Sequence, residues 1–238
     1  MAYARPVTFD REEFIAERWA PRAGEHVTIL GPTGCGKTEL GYGLVDAACT
    51  PKLPVVSLIM KPRDDTAKRW NKKIGLRTVR HWPPLPSIWT PGPPRGWCLW
   101  PKHTFDPERD DYLLYTEFRR AMLDSYKRGK RIIFGDEVYG LSEELRLRRE
   151  LVTLWSRGRS MGTGLWVASQ KPTHIPLWAY SMAEHLFLFF DPDKRARERF
   201  AEIGGVDPAL VGRAVLDLNE YQALYIRRRG GAMCIVDA

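Results

Sequence analysis

The sequence predicts an α/β fold, a mostly parallel sheet with helices on both faces. Three observations lead there. A short run rich in β-branched residues, His26–Leu30, feeds a glycine-rich loop and then a segment able to continue as a helix. Further along, short apolar runs suited to buried strands alternate with longer amphipathic stretches. The chain has 238 residues, enough for one large α/β domain with a substantial core.

The elements follow in order. Residues 1–25 read as a lead-in with a short helix around Glu12–Trp19, and residues 26–238 as a single domain. After the His26–Leu30 strand and its loop, Glu39–Val45 continues as helix, and Val55–Met60 is a second strand. Residues 61–80 are strongly basic, either a solvated face or a surface for a polyanion. Residues 83–100 form a proline- and tryptophan-rich excursion. Its prolines exclude regular helix or a central strand, and Trp82, Trp89, Trp97 and Trp100 argue for order, with Trp97–Trp100 a short strand. Leu114, Phe118, Met122 and Tyr126 recur at helical spacing within a helix over 107–129 that Gly129 ends. Arg131–Gly135 is a buried strand. A helix then follows, with Ser142 as cap, Glu143 and Glu144 at its positive end, and Leu147, Leu151, Leu154 and Trp155 on one face. Gly164–Ala168 and His185–Phe190 are further strands, and Asp193–Arg199 begins a basic helix.

The chemistry concentrates in two places. Gly31-Pro32-Thr33-Gly34-Cys35-Gly36-Lys37-Thr38 is a full match to the phosphate-binding loop G-x-x-x-x-G-K-[ST]. In a strand–loop–helix setting, the loop's backbone N–H groups and the positive helix end both face an anion. With Glu39, the first residue beyond the motif, these positions are the candidate nucleotide cradle. Lys37 would reach the β- and γ-phosphates and Thr38 would hold Mg²⁺. The second place is Asp136-Glu137, at the end of the 131–135 strand. Asp136 suits the metal's water shell, and Glu137 suits a general base on an attacking water. The pair favours hydrolysis of ATP over binding alone. Gln170, at the end of the 164–168 strand, would lie beside the terminal phosphate and help orient that water.

Composition sets further bounds. A net charge of +8 favours a polyanionic partner, nucleic acid before membrane surface. Cys35, Cys49, Cys98 and Cys234 lack metal-ligand spacing and read as reduced thiols of a cytosolic-type compartment, and the scattered histidines make a zinc site unexpected. The N-terminus is not patterned as a signal peptide, and the longest apolar run, Leu186–Phe190, is too short to cross a bilayer.

The series GPTGCGKT, then IIFGDE, then a helix ending RGRSMGTGLWVASQKP resembles the FtsK–HerA superfamily of DNA-translocating ATPases. In that superfamily a GR-x-x-G turn leads into a strand ending in TQ or SQ and a proline. The resemblance extends over the basic helix, the Gly204-Gly205 break and a further helix, nearly the whole chain. It implies a RecA-like P-loop NTPase core and a homo-oligomeric ring, pentamer or hexamer, with ATP between subunits. It also implies an arginine supplied in trans, with Arg159 at the matching position and Arg157 in reserve. The implied partner is double-stranded DNA, gripped through its backbone. With no anchor, no second barrel domain and no nuclease domain, the chain looks most like the small genome-packaging ATPases of viruses and phages. Such a protein works in the host cytoplasm or at a virion vertex, against a portal or capsid-vertex protein. Lys127-Arg128-Lys130 and Arg227-Arg228-Arg229 join the 61–80 run as candidate DNA contacts. A cellular or plasmid-borne pump, a P-loop kinase and a regulatory ATPase switch remain as alternative readings.

Overall fold

The computed structural model describes residues 5–85, 92–170, 177–200 and 206–237. Trp89, the Lys171-Pro172 pair and the Gly204-Gly205 break lie outside the described residues. In chain order the elements are β1 (Thr8–Phe9), α1 (Arg11–Glu17), β2 (Val27–Leu30), α2 (Lys37–Ala48), β3 (Val55–Leu58), α3 (Asp65–Ile74), β4 (Arg77–Val79) and β5 (Gly96–Leu99). They continue with α4 (Pro107–Arg128), β6 (Arg131–Gly135), α5 (Arg148–Arg157), β7 (Thr163–Ser169), α6 (Leu177–Ser181), β8 (His185–Phe189), α7 (Lys194–Phe200), α8 (Pro208–Leu216), β9 (Gln222–Arg227) and β10 (Ala232–Asp237).

The described strands form one sheet in the order β1-β10-β9-β8-β2-β7-β6-β3-β5-β4. Every neighbouring pair is parallel except the two that β9 makes with β8 and β10. Buried strands alternate their side chains between two cores. Ile29, Phe134, Trp166 and Phe187 face α1–α3, whereas Leu30, Ile133, Val167 and Leu188 face α4–α8. Helices therefore cover both faces, as the sequence predicts. From β2 the chain crosses to β3 past the places later filled by β7 and β6, while β8 lies on its other side. The C-terminal end of β2 is thus a topological switch point, where open α/β sheets bind ligands.

Two expectations are corrected. The first 25 residues are not a separate lead-in, because β1 pairs in parallel with β10 (Thr8 with Ile235, Phe9 with Val236) and completes the sheet. Phe14 is fully buried edge-on against Phe187 and Tyr225, which contributes roughly 2–3 kcal/mol. The Trp19 indole donates to the Leu44 carbonyl at 3.1 Å. The helix expected to start at Ser142 instead begins at Arg148. Gly140–Glu144 forms a wide π-type turn, and the Ser142 hydroxyl donates to Glu143 (2.8 Å) rather than accepting from a helix N-terminus. The face of Leu147, Leu151, Leu154 and Trp155 is buried as expected. Just before the proline-rich excursion, Trp82 is buried edge-on against Trp97 of β5, and its indole donates to Asp124 of α4 at 3.1 Å.

Candidate nucleotide-binding site

The loop between β2 and α2 adopts its turn because glycine sits where a side chain is excluded. Gly36 has φ of 101°, the left-handed region that glycine tolerates without strain. A Cβ at Gly31 would lie 2.5 Å from Phe189 Cβ and 2.8 Å from Cys35 Sγ. Lys37 is buried and folded back on the loop, its ammonium donating to the Pro32 carbonyl at 2.6 Å. Cys35 Sγ lies 3.9 Å from that ammonium, and burial raises its thiol pKa, so it is not thiolate-like.

Around this loop the structure brings together most residues singled out in the sequence. The Thr38 hydroxyl lies 3.0 Å from each Asp136 carboxylate oxygen. β7 is inserted between β2 and β6, so its C-terminal end stands between the loop and the acidic pair. From there Ser169 donates to Glu137 Oε1 at 3.3 Å, and the Tyr139 N–H donates to the same oxygen at 3.2 Å. Gln170 Oε1 accepts from the Thr33 hydroxyl at 3.0 Å. Lys37, Thr38, Asp136, Glu137 and Gln170, from three segments, therefore border one crevice. Ser169 was missed in the sequence, although a hydroxyl one residue before the amide was the available signal.

Burial raises the pKa of Asp136, against the opposing hydrogen bond from Thr38 and the nearby Lys61 charge. Glu137 is raised as well, by burial first, with the Asp136 charge adding and the Tyr139 and Ser169 bonds opposing. Two carboxylates short of compensating charge suit a site that gains a cation with its ligand. The donors present also fit Mg²⁺. Thr38 and Asp136 offer hard oxygens, and among the described residues no three His, Cys, Asp or Glu side chains form an all-protein metal site. Mg²⁺ is commonly held by one or two protein oxygens together with substrate phosphates.

Two predicted residues stand apart. The Glu39 side chain turns from the crevice to α3, where it pairs with Arg69 and accepts from the Trp70 indole at 2.8 Å. The helix N-terminus leaves its side chain on the α3 side, so any contribution to the cradle is through its backbone. Arg159 lies in the turn Gly158–Met161 before β7, at the opposite edge of the sheet, paired with Glu184 at 3.0 Å. The seven residues of β7 put about 20 Å between that edge and the loop. The basic runs also separate. Lys68, Arg69, Lys72 and Lys73 are exposed on α3, whereas Lys127, Arg128 and Lys130 and Arg228-Arg229 lie at the edge opposite the loop.

Neither a protein-family model nor a curated protein matches the sequence. Solved structures do. The genome-packaging NTPase B204 from Sulfolobus turreted icosahedral virus 2, in complex with AMPPCP, superposes with a TM-score of 0.61 at 14% identity, over 90% of this chain and 97% of that one. VirB4 of Thermoanaerobacter pseudethanolicus gives 0.65 at 10% identity, over 100% and 96%. The pCW3 conjugation coupling protein TcpA, with ATPγS, gives 0.52 at 13% identity, over 95% of this chain and 61% of that one. At these identities the likeness is one of fold. No helix among the described residues is long and apolar enough to cross a membrane.

Proposed function

We propose that the chain is a Mg²⁺-dependent ATPase of the FtsK–HerA type that drives double-stranded DNA through a homo-oligomeric ring, as the packaging motor of a virus or phage. The observation that carries this reading is the convergence at one crevice of the Thr38–Asp136 contact, Glu137 held by Ser169, and Gln170 held by Thr33. Its fold likeness to the viral packaging NTPase, nearly end to end in both chains, is compatible with the packaging role, and the comparable likeness to VirB4 keeps a cellular or plasmid-borne pump as the alternative. Docking on a portal or capsid-vertex protein belongs to the same reading.

The residues divide the work. Backbone N–H groups of Gly34–Thr38 and the start of α2 receive the phosphates, and Lys37 leaves the Pro32 carbonyl for a phosphate oxygen. Thr38 and Asp136 would hold Mg²⁺, which would supply charge neutralisation for the bound phosphates. Glu137 accepts a proton from water, held in place by Ser169 and the Tyr139 N–H, while Gln170 orients that water. Arg159 lies too far from its own loop to act there and serves the site of a neighbouring copy. Exposed α3 cations contact duplex phosphates without reading sequence.

Phosphate release with and without duplex DNA tests the reading. DNA-stimulated turnover is expected. Glu137→Gln is expected to bind ATP but to hydrolyse it roughly 10²–10⁴ times more slowly. Transfer of phosphate to a small acceptor, or slow turnover indifferent to DNA, would favour a kinase or a switch instead.

A further inference from the structure

The edge opposite the phosphate loop carries a second concave site. Arg159, Arg228, Arg229 and Glu184 come from three segments and line one cleft of about 400 Å³, with Ser156 and Met182 on its wall. Its single lining carboxylate is already engaged. Glu184 Oε2 accepts from the His26 N–H at 2.8 Å, and its Oε1 pairs with Arg159 at 3.0 Å. Arg228 is held by its surroundings. Its guanidinium donates to the Ser181 carbonyl and, at 3.3 Å, to the Ala183 carbonyl, its backbone N–H donates to the Glu184 carbonyl at 3.0 Å, and its Nε has no partner. Arg229 is exposed, with no acidic partner among the described residues. The cleft therefore keeps an excess of positive charge, with the guanidinium groups of Arg159 and Arg228 set beforehand and Arg229 exposed beside them.

We propose that this cleft is a phosphate-receiving site, taking the terminal phosphoryl group of ATP held on the loop of a second copy, with Arg228 and Arg229 completing what Arg159 begins. The inference rests on the ring reading above and adds two residues to it. A concave wall suits a compact anion with several oxygens, and guanidinium groups offer paired donors matched to phosphate. Cations already fixed by carbonyls and a carboxylate need little reorganisation when charge develops on that phosphate. Sliding contacts to a moving duplex are better served by loosely held side chains on an open face, such as those of α3. A DNA backbone phosphate offers the cleft the same chemistry, so the test must separate the two sources.

The experiment uses the full chain carrying Arg229→Ala or the conservative Arg228→Lys, with Arg159→Ala as reference. It reads turnover at saturating ATP, KM for ATP, and affinity for a labelled duplex across a salt series. Both new variants are expected to lose at least roughly tenfold in turnover, with KM and duplex affinity unchanged. In mixtures with the unaltered chain, activity should fall more steeply than the variant's fraction. Full turnover in both variants while Arg159→Ala is impaired overturns this inference and leaves the ring reading standing. Weaker duplex binding with a shallower salt dependence, at unchanged DNA-free turnover, assigns the cleft to DNA and overturns it. An Arg159→Ala protein as active as the unaltered chain overturns the ring reading and this inference together.

Discussion

Acid should loosen the base of the strand that carries the phosphate loop, and His26 sets the size of the effect. His26 is 1% exposed, and its Nδ1 accepts from the Leu165 N–H at 3.0 Å, joining β2 to β7. Burial first, and then the Arg159 charge, push its pKa down to about 4 from 6.5, with the Trp155 carbonyl opposing. A depressed histidine binds its proton more weakly folded than unfolded, so its contribution is complete above pH 6.5 and declines as pH falls toward 4. Over the whole window the loss is about 3 kcal/mol, and between pH 7 and pH 5 about 2 kcal/mol. Asp136 and Glu137, whose pKa values are raised, favour the folded state on acidification and act in the opposite direction. Glu25, held at about 2 by His185 and the Arg22 N–H against the effect of burial, loses its contribution only below pH 4.5. Urea unfolding followed by tryptophan fluorescence at pH 7 and pH 5, for the unaltered chain and for His26→Gln, isolates the histidine. The variant's stability should fall less between the two pH values, by about 2 kcal/mol. Equal losses in the two proteins would refute the assignment.

Two further outcomes concern the acidic pair. Asp136→Asn removes a buried charge whose ionised form the fold disfavours, so thermal unfolding without nucleotide should move to higher temperature while Mg²⁺-dependent phosphate release disappears. Glu137 must be ionised to accept a proton, and burial raises its pKa, so the acid limb of the kcat–pH profile should fall away above the ordinary glutamate value near 4.3; its loss in Glu137→Gln would identify the group.

How legible each part was in the sequence depends on how local its cause is. β2, the loop and α2 follow from a contiguous string in which glycine, lysine and threonine each have a backbone or phosphate reason to stand where they do. β6 and β7 announce themselves as apolar runs, and their polar ends were readable because a parallel sheet sends every C-terminal end to one edge. β1 was not readable, since two residues carry no period and their place depends on a partner more than 200 positions away. β9 and β10 escaped for a related reason: Arg227-Arg228-Arg229 reads as a charge run, which hides a hairpin turning beside it. Ser142 looked like a cap because serine before acidic residues usually is one, but its hydroxyl bonds locally to Glu143 and the chain turns more widely.

The two sites differ in the same way. A phosphate cradle is written in one loop and can be read from one chain. The opposite cleft is assembled by Arg159, Glu184 and Arg228, spread over 70 positions, and they meet only because β7 and β8 flank β2 and because β9 runs against β8. The antiparallel turn of β9 carries Arg228 and Arg229 to the same edge as Arg159, so a run that reads as three equivalent DNA contacts divides. Arg228 is tied to the carbonyls of Ser181, at the end of α6, and Ala183, and its neighbour stays exposed beside it. A charge run takes its meaning from the direction of the strand that carries it. Topology, more than composition, therefore separates the arginines gathered at the cleft from the exposed α3 cations, which is the division the proposed roles require.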